Sequence, residues 1–194
     1  MNDILAIPRH TCSELPESGA WPWAEWSWPS HLQWLPRPRA EHDEDYLQII
    51  PYAVIENPAG QVWCYRRSGG DARLVERLSC GVGGHVDSAD AEADFRATIR
   101  KALRREIAEE LDWALPPDPA LDPICGIYEG LSPIGRVHLG LVFELIWPHS
   151  EPPVPPSGES LDSLGFLDRS AILGDNRFEL WSRLALQGIE ANRP

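Results

Sequence analysis

Positive charge is scarce in this sequence: 17 lysines and arginines face 30 aspartates and glutamates, a formal net charge of −13 over 194 residues. Such a surface repels phosphate backbones, which excludes non-specific nucleic-acid binding. Cysteine is also sparse. Cys12, Cys64, Cys80 and Cys125 are widely scattered and form no C-x-x-C pair, so neither a zinc knuckle nor a dithiol motif is written here, and the four read as reduced, mostly buried thiols. No apolar run approaches the roughly 18 residues that a bilayer span requires, and no early segment pairs a basic flank with an apolar stretch. A soluble, cytoplasmic protein without membrane partners is expected.

Tryptophan and proline are abundant at one end. In residues 1–40, Trp21, Trp23, Trp26, Trp28 and Trp34 alternate with Pro22, Pro29, Pro36 and Pro38, which break helical and strand periodicity. This stretch reads as an irregular N-terminal extension, with residues 41–194 as the domain proper. Indoles are costly to leave in water, so the extension should pack on the domain, on a second subunit or around a ligand; core packing is the simpler use, and a homodimer is one way to achieve it.

From Tyr46 the pattern changes to strands. Residues 46–50 and 52–55, a turn at Asn57-Pro58-Ala59-Gly60 and residues 61–65 make a hairpin. A glycine-rich approach, Leu78 to Val86, precedes Asp87 to Leu115, a stretch free of Pro and Gly that should be mostly helical. Strands are expected at residues 124–128 and 137–146, the second covered on both faces because its alternation is weak. A short strand near residues 164–167 and a helix near 178–187 complete the reading, an α/β protein with a mixed sheet and helices packed on it.

The informative segment is Arg104-Arg105-Glu106-Ile107-Ala108-Glu109-Glu110. Glu109 and Glu110 lie three and four positions beyond Glu106, so the three carboxylates crowd one edge of a helix. Like charges at that spacing repel, and a hard divalent cation with oxygen ligands offsets the repulsion. Phe95, Ile99, Leu103 and Ile107 recur every four residues as an apolar stripe that anchors the helix on the sheet. Arg105 is placed to pair with a site carboxylate. A solvated Glu-rich surface is the competing reading of these residues, and the Gly83-Gly84 turn leading into the helix argues against it, since glycines let backbone amides approach a phosphate.

Gly84 through Trp113 resembles the Nudix box, G-x5-E-x7-R-E-U-x-E-E-x-G-U with U a bulky apolar residue. Arg105, Glu106, Ile107, Glu109, Glu110 and Trp113 match it. Asp90 stands at the pattern's first acidic position, 14 residues rather than seven precede Arg105, and Asp112 replaces the closing glycine. Seven extra residues are close to two helical turns, so lengthening the helix at its start keeps the glutamates on nearly the same face. Asp tolerates a left-handed backbone, so the final turn can survive. Gln48-Ile49-Ile50-Pro51-Tyr52, Gly81-Val82-Gly83-Gly84-His85 and Val137-His138-Leu139-Gly140 extend the likeness to a bacterial branch known only as predicted phosphoesterases.

That resemblance implies a Nudix-like α/β/α sandwich and metal-dependent hydrolysis of a pyrophosphate linkage in a nucleoside diphosphate joined to another group. It implies Mg²⁺, with Mn²⁺ able to substitute, on Glu106, Glu109 and Glu110. The general base is then Glu106, with Glu129 and Glu144 in reserve and Arg105 assisting, while Gly83, Gly84 and His85 contact the substrate. His85 and His138 read first as hydrogen-bonded structural residues and Arg66, Arg67 and Arg77 as solvated ones, with phosphate contact as the alternative for all five. Asp90, the insertion and Asp112 motivate a different expectation, a Nudix-like module that binds a nucleotide or metabolite without turning it over.

Overall fold

A computed structural model describes residues 3–12, 15–23, 31–69, 76–118 and 120–193. The chain opens with β1 (Asp3–Pro8), β2 (Ser18–Pro22) and β3 (Gln33–Pro36), followed by the short helix α1 (Arg37–Ala40). The central strand is β4 (Tyr46–Glu56), then come β5 (Val62–Arg67), β6 (Leu78–Ser79) and β7 (Gly81–Gly83). Helix α2 (Phe95–Leu111) leads to β8 (Cys125–Glu129), β9 (His138–Ile146), β10 (Leu161–Leu167), α3 (Arg169–Gly174) and α4 (Leu180–Asn192).

The strands form one mixed sheet with the order β10-β5-β4-β9-β8-β2. Its central pair, β4 and β9, is parallel, with Gln48 opposite His138 and Glu56 opposite Ile146. Residue parity decides which helix each side chain meets. Leu47, Ile49, Ala53 and Ile55 of β4, with Leu139, Leu141 and Phe143 of β9, pack beneath Ile99, Leu103 and Ile107 of α2. Tyr52, Val54 and Val142 face the other way, towards Leu184, Ala185 and Ile189 of α4. A sheet covered by a helix on each face is the expected α/β/α sandwich, and it explains the weak alternation of β9.

The extension is not irregular throughout. β1 pairs with β4, and β2 pairs with β8 with Trp21 opposite Gly126. Proline at a strand end removes no ladder hydrogen bond that the sheet needs, so Pro8, Pro22 and Pro36 close short strands rather than prevent them. Trp21 and Trp23 pack against the α2-side core, the core-packing use expected of them, while Trp26 and Trp28 lie outside the described residues.

Helix α2 starts later than the composition suggests. Asp94 is its N-cap, its side chain accepting from the Ala97 amide at 2.9 Å, and residues 88–90 form a separate 3₁₀ turn closed by Asp87 and Asp90. The helix ends at Asp112, left-handed at φ 50°, so aspartate does occupy the turn where the pattern has glycine.

Candidate active site

The N-terminal end of the parallel pair β4/β9, the β7 turn and the last half of α2 enclose a cavity of about 800 Å³. Gly83, Gly84, His85, Arg105, Glu106, Glu109, Glu110 and Glu129 all line it. The fold therefore brings together every predicted site residue except Glu144.

Arg105 is the hub. Its guanidinium donates to Asp90 Oδ2 at 2.8 Å, the His85 carbonyl at 2.8 Å, Glu106 Oε1 at 2.7 Å and Glu109 Oε2 at 3.0 Å. Asp90, with a side chain only 3% exposed, thus crosses the insertion to hold Arg105 from behind. One guanidinium also ties the glycine turn to α2 through the carbonyl of His85. Gly84 leaves room for Glu106: a Cβ there would stand 2.5 Å from both of its carboxylate oxygens, so a larger residue would displace the carboxylate.

The carboxylates differ in environment. Burial pushes the Glu106 carboxyl above its ordinary range, against the pull of Arg105. Burial, then the neighbouring Glu106, push Glu110 further, up to about 8. Glu110 makes no hydrogen bond within the described residues, and the nearby Arg67 is committed to Glu179 at 2.6 Å. Glu109 is the most open, its side chain 55% exposed. Among the described residues no three His, Cys, Asp or Glu side chains converge as they stand on a point that could hold an ion.

The other candidates are placed as follows. Glu129 faces the cavity, but Oε1 and Oε2 accept from the backbone amide and hydroxyl of Ser132 at 2.6 and 2.7 Å, which holds the 130–135 turn. Glu144 lies six residues along β9 from the cavity-lining His138, about 20 Å away at strand rise. There it pairs with Arg169 and Arg193, both at 2.8 Å, beside the buried Glu56, which engages the same two arginines. His85 is neutral, pushed down to about 3 by burial and then by Arg37, and its Nε2 contacts Gln48 Oε1 at 2.9 Å and His138 Nε2 at 3.4 Å. His138 directs Nδ1 to the Ile134 carbonyl at 2.7 Å. Arg37 and Trp181 also line the cavity; neither sits near a sequence motif, and only the folded chain brings α1 and α4 to this place.

No family model matches the chain. It is 29% identical over 157 residues to Protein YmaB of Bacillus subtilis (strain 168), a match spanning 78% of this chain and 75% of that protein. Among solved structures, Tm1382, a protein assigned to the Nudix hydrolases, superposes with a TM-score of 0.74 at 22% identity, covering 97% of this chain and 99% of that one. The fold is that of the Nudix hydrolases. A second Nudix structure, the domain of Shewanella oneidensis NrtR in complex with ADP ribose, covers 75% of this chain and 87% of its own at a TM-score of 0.54 and 12% identity. Within the Nudix fold, the segment resembling the Nudix box supplies Glu106, Glu109 and Glu110 to the cavity. No helix among the described residues is long and apolar enough to cross a membrane.

Proposed function

We propose that this chain is a divalent-metal-dependent hydrolase that cleaves a pyrophosphate linkage in a nucleoside diphosphate joined to another group. The observation that carries the reading is that Glu106, Glu109 and Glu110 open onto one cavity beside the Gly83-Gly84 turn, the first two paired with Arg105.

The donor set fits a hard cation. It is all carboxylate oxygen, and Glu110, with no hydrogen-bond partner among the described residues, sits where burial disfavours its charged form, a cost that a bound cation would offset. Glu106, Glu109 and Glu110 would hold Mg²⁺, with Mn²⁺ as a substitute; the bound ion supplies charge neutralisation of the diphosphate and a more acidic water. Arg105 fixes Glu106 in place, and Asp90 fixes Arg105. Gly84 leaves Glu106 room against the turn, where exposed backbone can face a phosphate. Glu106 takes the proton of the attacking water. Glu129 is the second choice as base, since both of its oxygens already accept from Ser132.

A non-catalytic nucleotide-binding module is the second reading, favoured by the similarity to the NrtR domain that holds ADP ribose. Formation of phosphomonoester products from a panel of sugar nucleotides and dinucleoside polyphosphates, read by chromatography, separates the two. Turnover with Mg²⁺, abolished by EDTA and in Glu109→Gln and Glu110→Gln, supports the enzyme; tight binding without turnover supports the module.

A further inference from the structure

Trp181, in the first turn of α4, lines the same cavity as the carboxylates. Its position is built. Tyr52 meets it edge to face, with ring centroids 5.7 Å apart and planes at 78°, and Tyr52 is itself anchored through its hydroxyl to Ser182 at 3.1 Å. The His138 ring stands at 84° to it on another side, with centroids 6.4 Å apart. Behind it, β9 carries Gly140 in mid-strand; a Cβ at that point would lie 2.9 Å from Trp181 Cζ3 and 2.5 Å from Ile127 Cγ1. Glycine weakens a strand interior, so its presence here marks a close approach, and part of what approaches is the indole.

A tryptophan fixed this firmly for packing alone would be buried with its N–H satisfied. Trp181 is only half-buried, and its Nε1–H finds no acceptor among the described residues. The same stretch of wall carries Leu180, Ile134 and Leu131, the last 64% exposed at the rim. An apolar wall with one indole suits a flat ring with two apolar faces.

We propose that Trp181 is the platform on which the aromatic base of the substrate stacks, so that the site selects nucleotides over sugar phosphates. The assignment deepens the hydrolase reading by naming the substrate's second anchor, and it rests on that reading for the identity of the reacting group. Stacking of a base on an aromatic side chain is worth roughly a ten- to hundredfold change in affinity.

The test measures binding separately from turnover. Adenosine 5′-monophosphate, uridine 5′-monophosphate and ribose 5-phosphate are titrated calorimetrically into the full chain in EDTA, using wild type, Trp181→Phe and Trp181→Leu, each checked by thermal melting. The expected result is tighter binding of both nucleotides than of ribose 5-phosphate in wild type, largely kept in Trp181→Phe and lost roughly ten- to hundredfold in Trp181→Leu. Ribose 5-phosphate affinity should not change. No nucleotide preference in wild type, equal affinities in a folded Trp181→Leu protein, or a parallel loss for ribose 5-phosphate overturns the proposal. Trp181-dependent nucleotide binding without any hydrolysis supports the platform and removes the catalytic reading. Hydrolysis of a nucleotide substrate with kcat/KM unchanged in Trp181→Leu does the reverse.

Discussion

Two carboxylate clusters, one at the end of β4 and β9 and one on α2, are treated in opposite ways. At the far end of β9, Glu56 and Glu144 share two arginines, Arg169 and Arg193, so that charge is matched one for one. At the cavity, Asp90, Glu106 and Glu109 share Arg105, and Glu110 has no ion pair or hydrogen bond among the described residues. The first cluster is complete as a structural device, pinning the residue that follows α4 to the sheet. The second is short of positive charge in a cavity open to small ligands, which is the condition under which a cation binds. Counting compensating charges separates the two where counting glutamates does not.

The largest contrast should appear in catalysis. Glu106→Gln is expected to lower the rate of Mg²⁺-dependent phosphomonoester formation by about 10²- to 10⁴-fold, while Glu144→Gln leaves it within a fewfold of wild type. Stability should show the opposite order. Glu56→Gln leaves Arg169 and Arg193 undercompensated beside a buried site and should cost about 3–5 kcal/mol in chemical denaturation, with the activity of the folded fraction retained. Of intermediate size is Asp90→Asn, which loosens Arg105 without touching substrate. A loss of about 10- to 100-fold in kcat with KM nearly constant is expected, partly restored in Asp90→Glu.

The pH dependence of stability tests the setting of Glu110 itself. The Glu110 carboxyl is raised from its ordinary 4.5 to about 8 in the folded chain, chiefly by burial. A proton held more tightly in the folded state adds stability that is fully present below about 4.5 and is lost as pH rises through about 8. In EDTA, the Tm of wild type should therefore fall more steeply over that window than the Tm of Glu110→Gln, and Glu110→Gln should be the more stable protein at the alkaline end. Parallel curves would show that Glu110 is not under electrostatic strain.

Much of this was legible before folding. The hairpin of β4 and β5, the strands β8 and β9 and the two-sided burial of β9 follow from periodicity, and the carboxylate edge of α2 follows from spacing alone. What sequence reading lost, it lost for identifiable reasons. Proline marked residues 1–40 as irregular, because proline at a strand end looks locally like proline that breaks a strand. Helix α2 was extended too far upstream because Asp87, Asp90 and Asp94 act as caps, and an aspartate cap resembles an ordinary acidic residue until its side chain is seen accepting from the backbone. Glu144 looked like a candidate base because its two arginines lie 25 and 49 residues further along the chain. Trp181 carried no local signal at all; its neighbours Tyr52, His138 and Gly140 come from two other strands.

Calorimetric titration of Mn²⁺ into wild type, Glu144→Gln and the Glu109→Gln/Glu110→Gln double variant tests the central claim most directly. Binding of comparable affinity in wild type and Glu144→Gln, and none in the double variant, is the predicted result. Equal Mn²⁺ binding in all three proteins, or none in wild type, would contradict the assignment of the α2 carboxylates as the metal site.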